Sequence, residues 1–143
     1  MSNEGSKTLG GSSTALTPPI SPAIRVGDTI YLAGVIAREP DGSAYAPGDP
    51  VRQAEKIFEK MSAVLASQGA TLQDVVKLVT YFSVPLDRTV SEEYWEVRRK
   101  YFGNHAPTST GVQVVSLIES DFVIEIEAVA AVGSSASAAG QDN

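Results

Sequence analysis

Between positions 51 and 65, apolar residues return every three or four places, at Val51, Ala54, Ile57, Phe58, Met61, Val64 and Leu65. Arg52, Glu55, Lys56, Glu59 and Lys60 fill the opposite side. That spacing predicts an amphipathic helix. Asp49 and Pro50 supply its N-cap and first-turn proline, and Gln68-Gly69 its left-handed stop. A second helical pattern covers 91–102, with Ser91 as its N-cap, acids in its first turn, and Pro107 barring continuation beyond Gly103-Asn104. Four stretches carry β-branched and aromatic residues instead: 29–35 (led in by the turn pair Gly27-Asp28), 74–84 (ended by Pro85), 110–115 and 122–132. The order is strands, helix, strand, helix, strands. It predicts an α+β fold, a two-layer sandwich with both helices on one face of the sheet.

The second face of that sheet is the informative one. Alternation puts Phe122, Ile124, Ile126, Ala128, Ala130 and Val132 on one side of the last strand, under the helices, and Val123, Glu125, Glu127, Val129 and Ala131 on the other. In the 74–84 strand, Val76, Leu78, Phe82 and Val84 share one face, and Val75, Val79 and Tyr81 share the other with Lys77. A face meant for water is more polar than this, and two helices cannot cover both sides. Another copy of the chain is the expected cover, which makes the protein a homo-oligomer.

Composition narrows the chemistry. The chain has 143 residues, enough for one domain at 16–132, flanked by Ser/Gly-rich stretches, 1–15 and 133–143, that read as flexible tails. No cysteine and a single histidine, His105, exclude thiol nucleophiles and His- or Cys-based metal centres. No metal or other cofactor is expected. A net charge of −6 with no basic run argues against nucleic acid as a partner. No apolar stretch approaches the roughly 20 residues of a membrane span, and the N-terminus lacks signal-peptide character, so no membrane partner and a cytoplasmic address are expected.

Three residues stand out. Glu125 and Glu127 emerge from one strand on the same face, roughly 7 Å apart by strand rise. Desolvation and mutual repulsion at an interface raise the pKa of at least one, which suits proton transfer; the plainer reading pairs each with a neighbouring Lys or Arg. Arg98 falls inside the apolar arc of Tyr94, Trp95, Val97, Tyr101 and Phe102 on the second helix. It is either an anion anchor or a packed stem with a locally paired head. His105 in its loop reads as solvated, and Ser109 and Thr110 as hydroxyl donors or turn formers. No catalytic triad spacing, phosphate loop or metal motif is present.

Several segments together resemble the YjgF-type Rid family, the reactive intermediate deaminases, also called L-PSP endoribonucleases. They are Ser21-Pro-Ala-Ile-Arg-Val-Gly-Asp-Thr-Ile-Tyr-Leu-Ala-Gly34, Gln53 with Met61 and Val64-Leu65, Gly69-Ala-Thr-Leu-Gln-Asp-Val-Val-Lys77, Tyr101-Phe102 before Pro107, and Ile124-Glu-Ile-Glu-Ala128. The resemblance implies a chorismate-mutase-like barrel, a homotrimer with ligand clefts between subunits. It places Ile20, Ala33 with Gly34, Trp95 and Ser109 about a small-molecule substrate, with Glu125 as the acid that orients water; Arg98, Thr110 and Gly111 join them as candidate contacts on their own chemistry. The family's substrate-gripping arginine, in a Pro-Ala-Arg-Ser segment, is matched here by Ser109 in Pro107-Thr-Ser-Thr110. Its pocket tyrosine falls on Ile20, its strand-end serine on Ala33, and its helix asparagine on Trp95. A desolvated bidentate pair is worth on the order of 2–5 kcal/mol, which a serine hydroxyl does not replace. These replacements point to a more apolar cleft, in which Ser109, Thr110 and the Gly111 N–H hold the polar end of a larger ligand.

Three functions follow in order of expectation. The first is a Rid-like hydrolase acting on an imine, enamine or related C–N centre. The second is a non-catalytic trimer that binds a small metabolite. The third is a ribonuclease, ranked last because the chain is acidic.

Overall fold

The computed structural model describes residues 17–133, so the expected tails lie outside the described residues, apart from Gly133. Its elements follow the expected order: β1 (Ala23–Val26), β2 (Thr29–Val35), α1 (Pro50–Ser67), a 3-10 turn (Leu72–Asp74), β3 (Val75–Phe82), α2 (Arg88–Phe102), β4 (Thr108–Gln113) and β5 (Ile124–Ala131). The five strands form one mixed sheet in the order β1-β2-β5-β3-β4. β5 is central and antiparallel to both neighbours, while β3 and β4 run parallel and are joined across α2. Both helices pack on one face, as the α+β reading requires.

Local chemistry explains most boundaries. Asp49 accepts hydrogen bonds from the Val51 and Arg52 amides and starts α1, which runs out before Gly69 at φ +80°. The turn pair Gly27-Asp28 joins two strands rather than leading into one: β1 pairs with β2 up to Val26 opposite Thr29, with Gly27 at φ +60°. The second helix begins three residues earlier than its expected cap. Asp87, not Ser91, caps α2 by accepting from the Val90 amide at 2.9 Å, and the first turn holds no acid. Glu92 lies one turn further in and pairs with Arg88 at 2.7 Å. Asp74 belongs not to a strand but to the 3-10 turn, where it and Thr71 close a reciprocal capping box.

Three strand readings shift, the first because of a bulge. A bulge between Val75 and Lys77 offsets the β3 register against β5, so Val75 points into the core, fully buried, and Val76 does not. Strict alternation from Val75 therefore fails at that one residue and holds from Leu78 to Phe82. β4 ends at Gln113, leaving Val115 wholly exposed beyond it. Val123 precedes β5 and is buried rather than on the open face; its amide donates to Gln53 Oε1 at 3.0 Å.

The core lies between the helices and the inner face of the sheet, around Ile57, Phe58, Met61, Leu78, Phe102, Ile124 and Ile126. Each such side chain contributes roughly 1.5–3 kcal/mol by leaving water. Phe58 joins the two helices, with its ring edge-on to Phe102 at 5.3 Å and stacked beside Tyr94 at 6.2 Å. Gln53 is the fully buried polar brace of α1. Its amide nitrogen donates to the Ala46 and Asp121 carbonyls at 3.0 and 2.8 Å, so every polar arm is satisfied.

The outer face is different. Ile24, Val26, Tyr31 and Val112 project from it and remain 38% to 63% exposed, beside the half-buried Val79, Val129 and Ala131. No described segment covers them. Among the described residues no helix is long and apolar enough to cross a membrane.

Candidate functional site

The pleat divides the candidate residues between two sides of the sheet. Ser109 pairs in register with the inward Leu78, and Gly111 with the inward Thr80, so both face α2. Thr110 pairs with Val79 and, across it, Glu127, so it faces outward. The expectation that Ser109, Thr110 and Gly111 hold one ligand group together is therefore corrected: neighbouring side chains in a strand emerge on opposite faces.

On the helix side, a cleft of about 670 Å³ opens between α2 and β4, lined by Phe82, Trp95, Arg98, His105, Ser109 and Gly111 among others. Its size suits a small organic molecule. The helical arc that places Tyr94, Val97 and Phe102 in the core leaves Trp95 at its edge, 47% exposed and able to meet a ligand. Arg98 is half-buried beside it. Its Nη1 donates to Ser109 Oγ at 2.6 Å, and its guanidinium carbon stands 5.7 Å from the centre of the Tyr94 ring. The head is thus locally paired, yet with a neutral hydroxyl; no carboxylate balances its charge among the described residues. Tyr94 itself donates to or accepts from Thr80 Oγ1 at 2.7 Å, and burial pushes its phenol pKa up. His105 is not the solvated loop residue expected. Its Nε2 lies 2.6 Å from the Val75 carbonyl, an acceptor only, so that nitrogen carries the proton and the ring ties the loop to β3.

On the outer face, Glu125 and Glu127 fare differently. Tyr81 donates its hydroxyl to Glu127 Oε1 at 2.8 Å, which pushes the phenol pKa up. Glu125, half-buried, makes no hydrogen bond or ion pair with any described residue, and neither acid meets a Lys or Arg. Burial raises its pKa above the ordinary carboxylate range, and the neighbouring Glu127 charge adds to the effect. A second bulge makes room for it. Ala33 and Gly34 together stand opposite Glu127, and a Cβ at Gly34 would overlap the Glu125 carboxylate. Tyr81 is the participant that periodicity did not single out; its place on the outer face was legible, but not its partner on β5. Ile20 lies in neither group and is 65% exposed ahead of β1. No cluster of metal-ligating side chains occurs among the described residues.

The sequence model of the family described as Endoribonuclease L-PSP matches residues 12–132, most of the chain. The chain belongs to that family, the YjgF-type Rid proteins. Among the relatives of this Rid chain, a RutC family protein of Pyrococcus abyssi is 37% identical over 112 residues, covering 78% of this chain and 85% of its own. The human 2-iminobutanoate/2-iminopropanoate deaminase is 32% identical over 126 residues, with 85% and 88% covered. Among solved structures, RidA from an Antarctic Psychrobacter superposes with a TM-score of 0.72 at 27% identity, over 81% of this chain and 90% of that one. The mixed sheet with two helices on one face is thus the Rid architecture.

Proposed function

We propose that the chain is a homotrimeric hydrolase of imines and enamines, with Glu125 as the base that directs water. The observation that carries this reading is the unpartnered, half-buried Glu125 carboxylate on the outer face, where its neighbour Glu127 is held by Tyr81. Such a group is costly to keep unless it acts. Its raised pKa brings it nearer to neutrality, where it can take a proton and return it. In the proposed reaction, water oxygen bonds to the imine carbon while Glu125 takes one water proton. The C=N electron pair moves to nitrogen. The carboxylic acid returns that proton to nitrogen, giving the carbinolamine; Glu125 then takes the hydroxyl proton and passes it to nitrogen as the C–N bond breaks, releasing ammonia and leaving a carbonyl. An enamine first tautomerises to the imine. The deaminase name of the human relative supports the reaction class.

Sister copies of the chain are the proposed cover for Ile24, Val26, Tyr31 and Val112. The experiment supplies enzymatically generated imino acids and bulkier enamines to the purified protein and follows ammonia release. Turnover that falls about 100-fold or more in Glu125→Gln supports the reading; no acceleration with any substrate, or an unchanged rate in the variant, ends it.

One observation favours a second reading, that of a non-catalytic binder. The cleft with Arg98 and the acid Glu125 lie on opposite faces of one sheet, so a single copy carries a binding cleft that Glu125 does not reach. That reading predicts ligand-dependent thermal stabilisation without turnover.

A further inference from the structure

Of the cations on α2, Arg88 and Arg99 are paired with Glu92 and Glu96, and Lys100 with Glu55. Arg98 differs from all three. It has no acidic partner among the described residues, its stem is half-buried, and its head is held by Ser109 and the Tyr94 ring at the wall of the cleft. A guanidinium fixed in this way loses little freedom on binding and presents its planar donors to a carboxylate, which it can hold more strongly than a neutral acceptor. One turn of the same helix places Trp95 beside it, with half of its surface exposed to the cleft. Arginine and exposed indole side by side form a pair of fixed contacts, one for an anion and one for a flat apolar group.

We infer that Arg98, steered by Ser109, is the carboxylate anchor of this cleft, and that its ligand is a carboxylate bearing an aromatic group that lies on Trp95. The inference rests on the hydrolase reading for its reaction and narrows the substrate to an anionic aryl imine. The cation is supplied from the helix, while the matching strand position, Ser109, positions it. Arg98 is a binding residue here; Ser109 is a positioning residue that acts through it.

The full chain contains one tryptophan, so selectively excited tryptophan emission reports Trp95 alone. Phenylacetate and its uncharged counterpart phenylacetamide are titrated into the oligomer. The expected result is a saturable change in Trp95 emission, with phenylacetate bound about tenfold or more tighter than the amide. Arg98→Gln is expected to erase that preference, Arg98→Lys to retain part of it, and Ser109→Ala to weaken phenylacetate binding while leaving amide binding unchanged. Equal binding of acid and amide by the unmodified protein, or an undiminished preference in a folded Arg98→Gln, overturns the anchor. So does the absence of any saturable signal. Should Arg98→Gln not fold, Ser109→Ala and the acid–amide comparison decide alone. Glu125→Gln separates the two proposals: it is expected to abolish turnover and leave phenylacetate binding intact. An Arg98-dependent acid preference in a protein that turns over no imine upholds the anchor while the hydrolase reading falls.

Discussion

Replacing Gly34 by alanine asks whether the β2 bulge exists to seat Glu125. Gly34 is not held at positive φ, so alanine suits its backbone and removes unfolded-state freedom worth about 0.4–1 kcal/mol. The three atoms nearest the new Cβ would all belong to Glu125: the carboxylate oxygen, Cδ at 2.9 Å and Cγ at 3.2 Å. These lie toward the far end of a flexible, half-exposed side chain, which can swing away at an off-rotamer cost of about 0.5–1.5 kcal/mol. The two contributions nearly cancel, so stability changes by less than about 1 kcal/mol, a shift of a few degrees in Tm. Chemistry does not share that tolerance, because moving a reacting group by about 1 Å costs on the order of 100-fold in rate. Thermal melts and imine turnover of Gly34→Ala therefore diverge: Tm holds while kcat falls about 100-fold and KM, set across the sheet at Arg98, stays near its original value. Full turnover in a folded Gly34→Ala would refute the idea that the bulge positions a working acid. A large loss of stability would refute it too, since it would make Gly34 a packing residue.

Further outcomes follow from the same geometry. Gln53→Ala strands the buried Val123 amide and takes one of two hydrogen bonds from each of the Ala46 and Asp121 carbonyls, which keep the Asp49 and Gly48 amides; urea denaturation is expected to show a loss of about 2–4 kcal/mol, and under 1 kcal/mol would mean the brace is dispensable. Asp87→Ala removes the true cap of α2 and costs about 1 kcal/mol by chemical denaturation, whereas Ser91→Ala is nearly neutral. Glu125→Gln stabilises the protein at pH 7. A carboxyl whose folded pKa is raised is a growing liability as pH climbs from its ordinary 4.5 through the folded value, and the liability vanishes below 4.5, where both states are protonated. The gain is at most about 1 kcal/mol, because half-exposure screens the charge, and pH-dependent melts of both proteins measure it. Sedimentation across a dilution series is expected to return a trimer at micromolar concentration, and a folded monomer there would remove the cover assigned to the outer face.

Where the sequence was legible, one physical rule acted alone. The α1 period, the Asp49 cap and the β2 limits follow from local chemistry, and the structure keeps them to the residue. Where it misled, two rules competed. Ser91 and Asp87 are both competent caps; Asp87 prevails because helix can continue from Arg88, so Ser91 falls inside the second turn. The bulge at Val75 broke an alternation that nothing in the residue types marks, since Val75 and Val76 are the same amino acid. The chemistry-bearing residues were nearly all visible as types. Their grouping was not, because which neighbours share a face depends on register: Ser109 looks at Arg98, and Thr110, one residue on, looks at the acids. Arg98 was conspicuous as a charge within an apolar arc. That its partner would be a neutral serine on another element depended on the parallel pairing of β3 and β4, which places Ser109 level with Leu78 and beneath α2.

The two-sided arrangement also says why an acid survives on an apolar sheet. Arg98 and Glu125 cannot meet in one copy, because the central sheet lies between them. They can serve one substrate only when the α2–β4 edge of one copy approaches the outer face of another. The exposed apolar side chains assigned above to the proposed assembly, Ile24, Val26, Tyr31 and Val112, surround the same face that carries Glu125. Association and activation then become one event. Burying those side chains in the proposed assembly would remove water from Glu125, which pushes its pKa up, while the cation brought to the opposite wall would pull it back down. An isolated copy then holds a half-wet Glu125 on one face and a cleft beyond its reach on the other. In the proposed trimer the contact that stabilises the assembly would also complete the chemistry, and an interface substitution such as Tyr31→Glu is expected to abolish assembly and turnover together, leaving each copy folded around its undisturbed inner core.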